Sequence, residues 1–273
     1  MRTFWIAIAI LVGRPIALIS DVQVKLHGVK PETVKERLQA YRGNDVQREM
    51  TLKSLFESAG CTGAQLSEQP VKGLKEPNLL CVLPGTSDSV IVVGAHYDHV
   101  DAGDGVVDNW SGASMLPSLY EALNTGQRHH TLVFAAFAGE EKGLVGSQYY
   151  VKEENPEQLK KIRAMICMDT LGLGPTEVWV SRSDKKLVAA FATLANAMKL
   201  PASRVDVDGV GVSDEESFKK KKIPTITIHS LTPSTLRILH TAKDNYDAVK
   251  FDDYYVSFRL LSWYLSYLDQ TVE

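Results

Sequence analysis

Residues 131–138 read TLVFAAFA and run without a spacer into Gly139, Glu140 and Glu141. A strand this apolar has no polar face to offer water, so it must be covered on both sides, which excludes a one-sided sheet and calls for helices above and below it. The pattern recurs. Short apolar runs at 79–83, 90–95, 162–168, 178–180 and 223–228 read as further strands. Apolar residues at helical spacing make helices of 113–123, 185–198 and a closing segment at 253–268. Upstream, 31–59 carries Val34, Leu38, Tyr41, Met50, Leu52, Leu55 and Phe56 at similar intervals and is expected to form one or two amphipathic helices. The alternation predicts the α/β class: one three-layer α/β/α domain over 21–273 with a mixed, largely parallel central sheet. At 273 residues and 44% hydrophobic content the chain has material for a core of that size, and disorder is excluded.

Thirty Lys+Arg against 33 Asp+Glu leave a formal charge of -3, without the basic excess of a nucleic-acid or anionic-membrane binder. No nucleic-acid partner is expected, and the lysine run 219–222 reads as solvated surface. Cys61, Cys81 and Cys167 are too few for a disulfide framework or a thiolate zinc site. Residues 1–20 place Arg2 ahead of an apolar run at 4–13, the pattern of a secretory signal with Ser20 at the cleavage position; a buried N-terminal strand or helix is the alternative. Export to the periplasm or medium is therefore expected, with a cytoplasmic location as the alternative, and under export Cys61 and Cys81 are free to pair. Arg14 and Pro15 interrupt the run well short of the roughly 20 apolar residues of a membrane span, so none is expected.

Ligands of open α/β sheets gather beyond the carboxyl ends of strands, and the polar residues there deserve the closest reading. His96 and Asp98 follow the run 90–95 and point to one side while the backbone stays extended, a spacing suited to a metal-binding imidazole and a carboxylate that orients it. Asp108 lies in a Gly- and Ser-rich turn before a helix, where it also suits a cap. Glu140 and Glu141 are costly at the end of a buried strand unless a cation or strong donors offset them. As neighbours leaving a strand they point apart, so one can hold a metal while the other faces a water. Asp169 ends the run 162–168, and His240 stands in the turn-forming stretch ILHTAKDN. Two histidines and three or four carboxylates make a nitrogen and oxygen ligand field for two borderline metal ions, zinc first, with manganese or cobalt as alternatives.

Four segments resemble the zinc aminopeptidases of the M28 peptidase family, of the bacterial leucyl and Streptomyces type: HYDH at 96–99, DNWSG at 108–112, GEEKGLVGS at 139–147 and HTAKD at 240–244. SDEESF at 213–218, followed by Ile223 and Pro224, is a weaker fifth match. The resemblance covers about 75–268 and implies the zinc-dependent exopeptidase fold. It makes His96 and Asp169 ligands of one Zn2+, Glu141 and His240 ligands of a second, and Asp108 the bridge between them. Glu140 becomes the general base, Asp98 supports His96, and the peptide after Asp108 is a candidate for a cis bond. The implied activity is a metallo-aminopeptidase that hydrolyses the N-terminal bond of a peptide with a free N-terminus, using a water between the ions. Leu239 stands where many relatives carry an aromatic residue, with Tyr97 and Tyr246 as candidate substitutes, and Lys222 replaces a frequent glycine. A glutaminyl cyclase, which shares the fold but usually works with one zinc, is the nearest rival reading; a non-catalytic binding ectodomain is the second. The intact ligand set favours the two-metal hydrolase. Trp110, Trp179 and Phe218 are candidate pocket walls, although each such residue is more often plain core packing.

Overall fold

The apolar runs form the body of one eight-stranded sheet, with two short polar strands at its edges. A computed structural model of the chain describes residues 26–207 and 211–273, so the segment read as a signal lies outside the described residues. Helices α1 (Pro31–Gln39) and α2 (Asp45–Ser58) precede strands β1 (Leu66–Gln69), β2 (Asn78–Leu83) and β3 (Val90–His96). Then come α3 (Ser111–Leu123), β4 (Thr131–Phe137), α4 (Val145–Glu153), the single turn α5 (Pro156–Leu159) and β5 (Ile162–Met168). The chain closes with β6 (Thr176–Val178), α6 (Lys185–Met198), β7 (Ala202–Arg204), α7 (Glu215–Lys219), β8 (Thr225–His229) and α8 (Phe251–Thr271).

The strand order is β1-β2-β4-β3-β5-β8-β6-β7. The central strands β4, β3, β5 and β8 run parallel, as do β6 and β7, while β1, β2 and β6 join their other neighbours antiparallel. Alternation explains the layers. Leu132, Phe134 and Ala136 of β4 enter a large core with residues of α1, α2, α3, α6 and α8, whereas Val133, Ala135 and Phe137 face Tyr150 and Val151 of α4 and Phe218 of α7. Helix α6 shows the local logic. Asp184 caps it by accepting from the N–H groups of Lys186 and Leu187, and Leu187, Val188, Phe191, Leu194 and Ala195 form its buried stripe.

One expectation is corrected. The strand expected at 178–180 ends at Val178: Trp179 N–H still donates to the Thr227 carbonyl of β8, but Arg182 N–H then folds back onto the Trp179 carbonyl. Phe218 and Trp110 are fully buried core residues, the reading favoured for them over pocket walls.

Cys61 and Cys81 are joined by a disulfide that ties the end of α2 to β2, and Cys167 is a buried free thiol. Closing a loop over a separation of 20 residues removes unfolded-chain entropy worth about 3 kcal/mol. The Cys61→Ala/Cys81→Ala variant is therefore expected to unfold at lower urea concentration. A midpoint equal to that of the unreduced parent would contradict this.

Candidate metal centre

Strand β3 is followed by its neighbour on one side, β4, and β5 by strands on the other side, so a crevice opens over their carboxyl ends. His96, the last residue of β3, is 1% exposed. Its Nδ1 stands 3.2 Å from the Asp98 carbonyl oxygen and 3.6 Å from Asp98 Oδ1. With Nδ1–H given to the main chain, Nε2 faces Asp108 Oδ1 at 3.3 Å and Asp169 Oδ1 at 3.9 Å. The other oxygen of Asp108, Oδ2, lies 3.2 Å from His240 Nε2, which is also 3.2 Å from Glu141 Oε1. The five candidate ligands named from the sequence thus form two groups, His96–Asp108–Asp169 and Asp108–Glu141–His240, each with potential donor atoms within 4.8 Å of one another. Asp108 belongs to both and offers a different oxygen to each.

The supporting contacts are largely backbone-directed. The Asp98 carboxylate accepts from Glu140 N–H at 3.0 Å and Glu141 N–H at 3.2 Å, so besides facing His96 it shapes the acidic turn after β4. Asp244 accepts from the N–H groups of Val107 and Asp108 at 2.6 and 3.1 Å. The Asp108–Asn109 peptide is cis. Asn109 then clamps this turn to the end of β5, donating to the Met168 carbonyl and accepting from the N–H groups of Gly112 and Thr170. Gly112 has no room for a side chain: a Cβ would lie 2.6 Å from Asn109 Oδ1 and 2.7 Å from the Met168 carbonyl oxygen. Thr170 Oγ1 donates to Asp169 Oδ1 at 2.9 Å. Sequence reasoning missed the roles of Asp244, Asn109 and Thr170, although the first two fall inside quoted motifs.

The protein's own charges leave this cluster over-acidic. Burial, reinforced by the charges of Asp214, Asp169 and Asp108, pushes the Glu140 carboxyl up to about 9 against the pull of His96. Burial and Asp108 push Glu141 up to about 7. Burial also raises Asp214, to about 7, and Asp169. Burial opposes charging His96, but Glu140, Asp108 and Asp98 outweigh it and hold its pKa well above the ordinary value. The Asp108 contact lifts His240 to about 9. Burial works against ionising Asp108, yet His240 and His96 keep its carboxyl below the usual range.

Such a donor set fits divalent cations. Imidazoles and carboxylates converge in two triads that share Asp108, and the buried Glu141 Oε1 and Asp108 Oδ2 both face His240 Nε2 at 3.2 Å. Ligands must lose their protons to bind. At neutral pH His240 carries one, and Glu141 carries one in part of the population. Zinc uptake at pH 7 is therefore expected to release more than one proton per chain, and affinity to rise from pH 6 to 9. Calorimetric titration in two buffers of different ionisation enthalpy reads this directly, and an absence of proton release would contradict it.

The residues of both triads line a cavity of about 160 Å³ whose apolar walls include Trp179, Val212, Leu231 and Leu239. The guanidinium of Arg182 stacks on Trp179 at 3.6 Å. Neither tyrosine proposed as a substitute for the aromatic neighbour lines this cavity. Tyr97 is fully buried and its hydroxyl donates to the Pro77 carbonyl. Ser213, from the weaker motif, does line it.

A probable leucine aminopeptidase of Arthroderma otae is 29% identical over 168 residues, 57% of this chain and 47% of that protein. The chain spans about half the length of such curated relatives. Among solved structures, the LapA aminopeptidase of Legionella pneumophila superposes with a TM-score of 0.77 at 24% identity, covering 89% of this chain and 71% of that one. The glutaminyl cyclase of Porphyromonas gingivalis superposes at 0.70 with 17% identity, covering 87% and 96%. These two likenesses show the three-layer fold. The model of peptidase family M28 matches residues 78–262, more than half of the sequence, and the chain belongs to that family.

Proposed function

We propose that this protein is an exported aminopeptidase that uses two zinc ions to hydrolyse the first peptide bond of substrates with a free N-terminus. The observation that carries the reading is the pair of triads joined through the two oxygens of Asp108. A one-metal cyclase needs only one of them, which favours the hydrolase over the cyclase whose fold it shares. Loss of ligands would mark a binding ectodomain, and the presence of all five residues read as ligands supports the enzyme instead. Zinc suits a mixed imidazole and carboxylate set, with manganese or cobalt as alternatives. Export is supported by the Cys61–Cys81 disulfide, a bond rare in reducing compartments, and by the signal-like residues 1–20. Among the described residues no helix is long and apolar enough to cross a membrane.

When bound, two divalent ions supply Lewis acidity toward the scissile carbonyl, a lowered pKa for water, and positive charge that favours the carboxylate form of Glu140. His96 and Asp169 would hold one ion, Glu141 and His240 the other, and Asp108 both. Glu140 belongs to neither triad yet lies within ligand distance of His96 and Glu141, with its N–H fixed by Asp98. From there its carboxylate takes the proton of the attacking water and returns it to the leaving amine. The carboxylates of the site would attract the substrate ammonium, and Trp179, Val212, Leu231 and Leu239, on the apolar side of the same cavity, would face its first side chain.

The test is turnover of aminoacyl-p-nitroanilides, their N-acetylated forms and an N-terminal glutaminyl peptide, before and after chelation and zinc readdition. Chelator-sensitive cleavage confined to free-amine substrates is expected. Cyclisation of the glutaminyl peptide would replace this reading with the cyclase, and inactivity on the whole panel with two zincs bound would overturn the substrate class.

A further inference from the structure

The ligand-bearing turns after β3 and β4 are all touched by one element that carries no ligand, the amino-terminal half of α2. Arg48 of that helix is fully buried, and every hydrogen bond its guanidinium makes goes to a main-chain carbonyl. Nε donates to Arg42 within the same segment at 3.1 Å. Nη1 donates to the Tyr97 carbonyl at 3.0 Å, between His96 and Asp98. Nη2 donates to the carbonyls of Asp104 and Gly105 at 2.8 and 2.7 Å, in the turn that leads to Asp108. Its central carbon lies 5.6 Å from the Trp110 ring, two residues past Asp108. Three positions earlier, on the same helix face, Asp45 Oδ1 stands 3.1 Å from His99 Nδ1, and Oδ2 3.6 Å from Lys142 Nζ, next to Glu141.

We infer that Arg48, seconded by Asp45, is a positioning residue that sets the separation of His96 and Asp108 and so the geometry in which the two triads share a carboxylate. This rests on the reading of those residues as metal ligands. Gly105 adds an independent sign that the fit is built. It has φ +55, and a Cβ there would lie 2.5 Å from His99 Cβ and 3.1 Å from Arg48 Nη2, so the turn closes on the guanidinium only with glycine. Helix α2 precedes the 78–262 segment that matches the family, so this strut is supplied from outside the matched region. A guanidinium suits the task because its planar fork reaches three carbonyls of two turns at once, which an ammonium on a flexible stem does not.

Arg48→Met and Arg48→Lys separate positioning from mere packing. In the full chain, zinc affinity is read by competition with a chromogenic chelator, kcat and KM on leucyl-p-nitroanilide, and Tm on the metal-free protein. Arg48→Met is expected to weaken zinc binding about 10- to 100-fold, the range for residues that orient ligands from behind. Its kcat should fall while KM stays within about twofold, and Arg48→Lys should recover part of the zinc affinity. A folded Arg48→Met with parental zinc affinity overturns the inference, as does a lowered Tm with unchanged zinc affinity. If Arg48→Met does not fold, Asp45→Asn carries the same readout with an expected loss of several-fold, and parental affinity there overturns it. A parent protein that binds no zinc would overturn both this inference and the proposed function, whereas a zinc-binding parent with unaffected variants would overturn only this one.

Discussion

Replacing Glu140 by glutamine is expected to leave both zinc ions bound and to lower kcat about 10³- to 10⁴-fold, the upper part of the range for a lost general acid–base group. Glutamine keeps the length and shape of the side chain and removes only its ability to take a proton. The backbone around it is held independently: Asp98 fixes the N–H groups of residues 140 and 141, and Gly143 and Leu144 donate to the Glu140 carbonyl. The ligand atoms of the two triads come from other residues, so metal content should not change. The measurement is kcat on a leucyl anilide beside zinc stoichiometry on the same preparation. Near-parental turnover would remove Glu140 from the proton path. Loss of zinc would instead make it a ligand.

Much of the fold was legible because the central strands leave no ambiguity. β3 and β4 are apolar on both faces, β5 is so beyond the exposed Arg163 near its start, and all three lead into polar residues, which located His96, Glu140, Glu141 and Asp169 on one rim before any geometry was known. The edge strands were not legible for the opposite reason. β1 reads LSEQ and β7 ASR, and neither has the buried faces that would impose an apolar pattern. Asp244 was visible in its motif, but its partners lie more than 130 residues away in sequence, and no local spacing reports that. Arg48 did leave a signal. With Leu52 and Phe56 it completes an i, i+4, i+8 stripe whose three members are all buried, and a charged residue on an apolar stripe needs partners. Trp110 and Trp179 could not be told apart from composition. One covers Arg48 and donates its indole N–H to the Arg37 carbonyl, and the other walls the cavity.

Asp108→Asn should fail at an earlier stage than Glu140→Gln. Asp108 alone sits in both triads, with Oδ1 toward His96 and Oδ2 toward His240. An asparagine would present one oxygen and one N–H, so one triad loses an oxygen donor outright and both lose the negative charge that offsets a divalent ion. The expected result is at least about a 100-fold loss of affinity for both ions, beyond what outer partners of ligands usually cost, with activity lost in proportion. Asp169→Asn supplies the contrast, since Asp169 belongs to one triad only and its variant should retain one tightly held ion. Equilibrium dialysis against buffered zinc then reads a stoichiometry near zero for Asp108→Asn where Asp169→Asn reads near one. Misfolding is separated from metal loss by the turn's remaining bonds: Asp244 holds the N–H groups of residues 107 and 108, and Asn109 holds the turn to β5, so the metal-free variant should keep the parent's circular dichroism. Two ions bound at parental affinity by Asp108→Asn would mean that the carboxylate is not shared, and the two-metal reading would have to be abandoned.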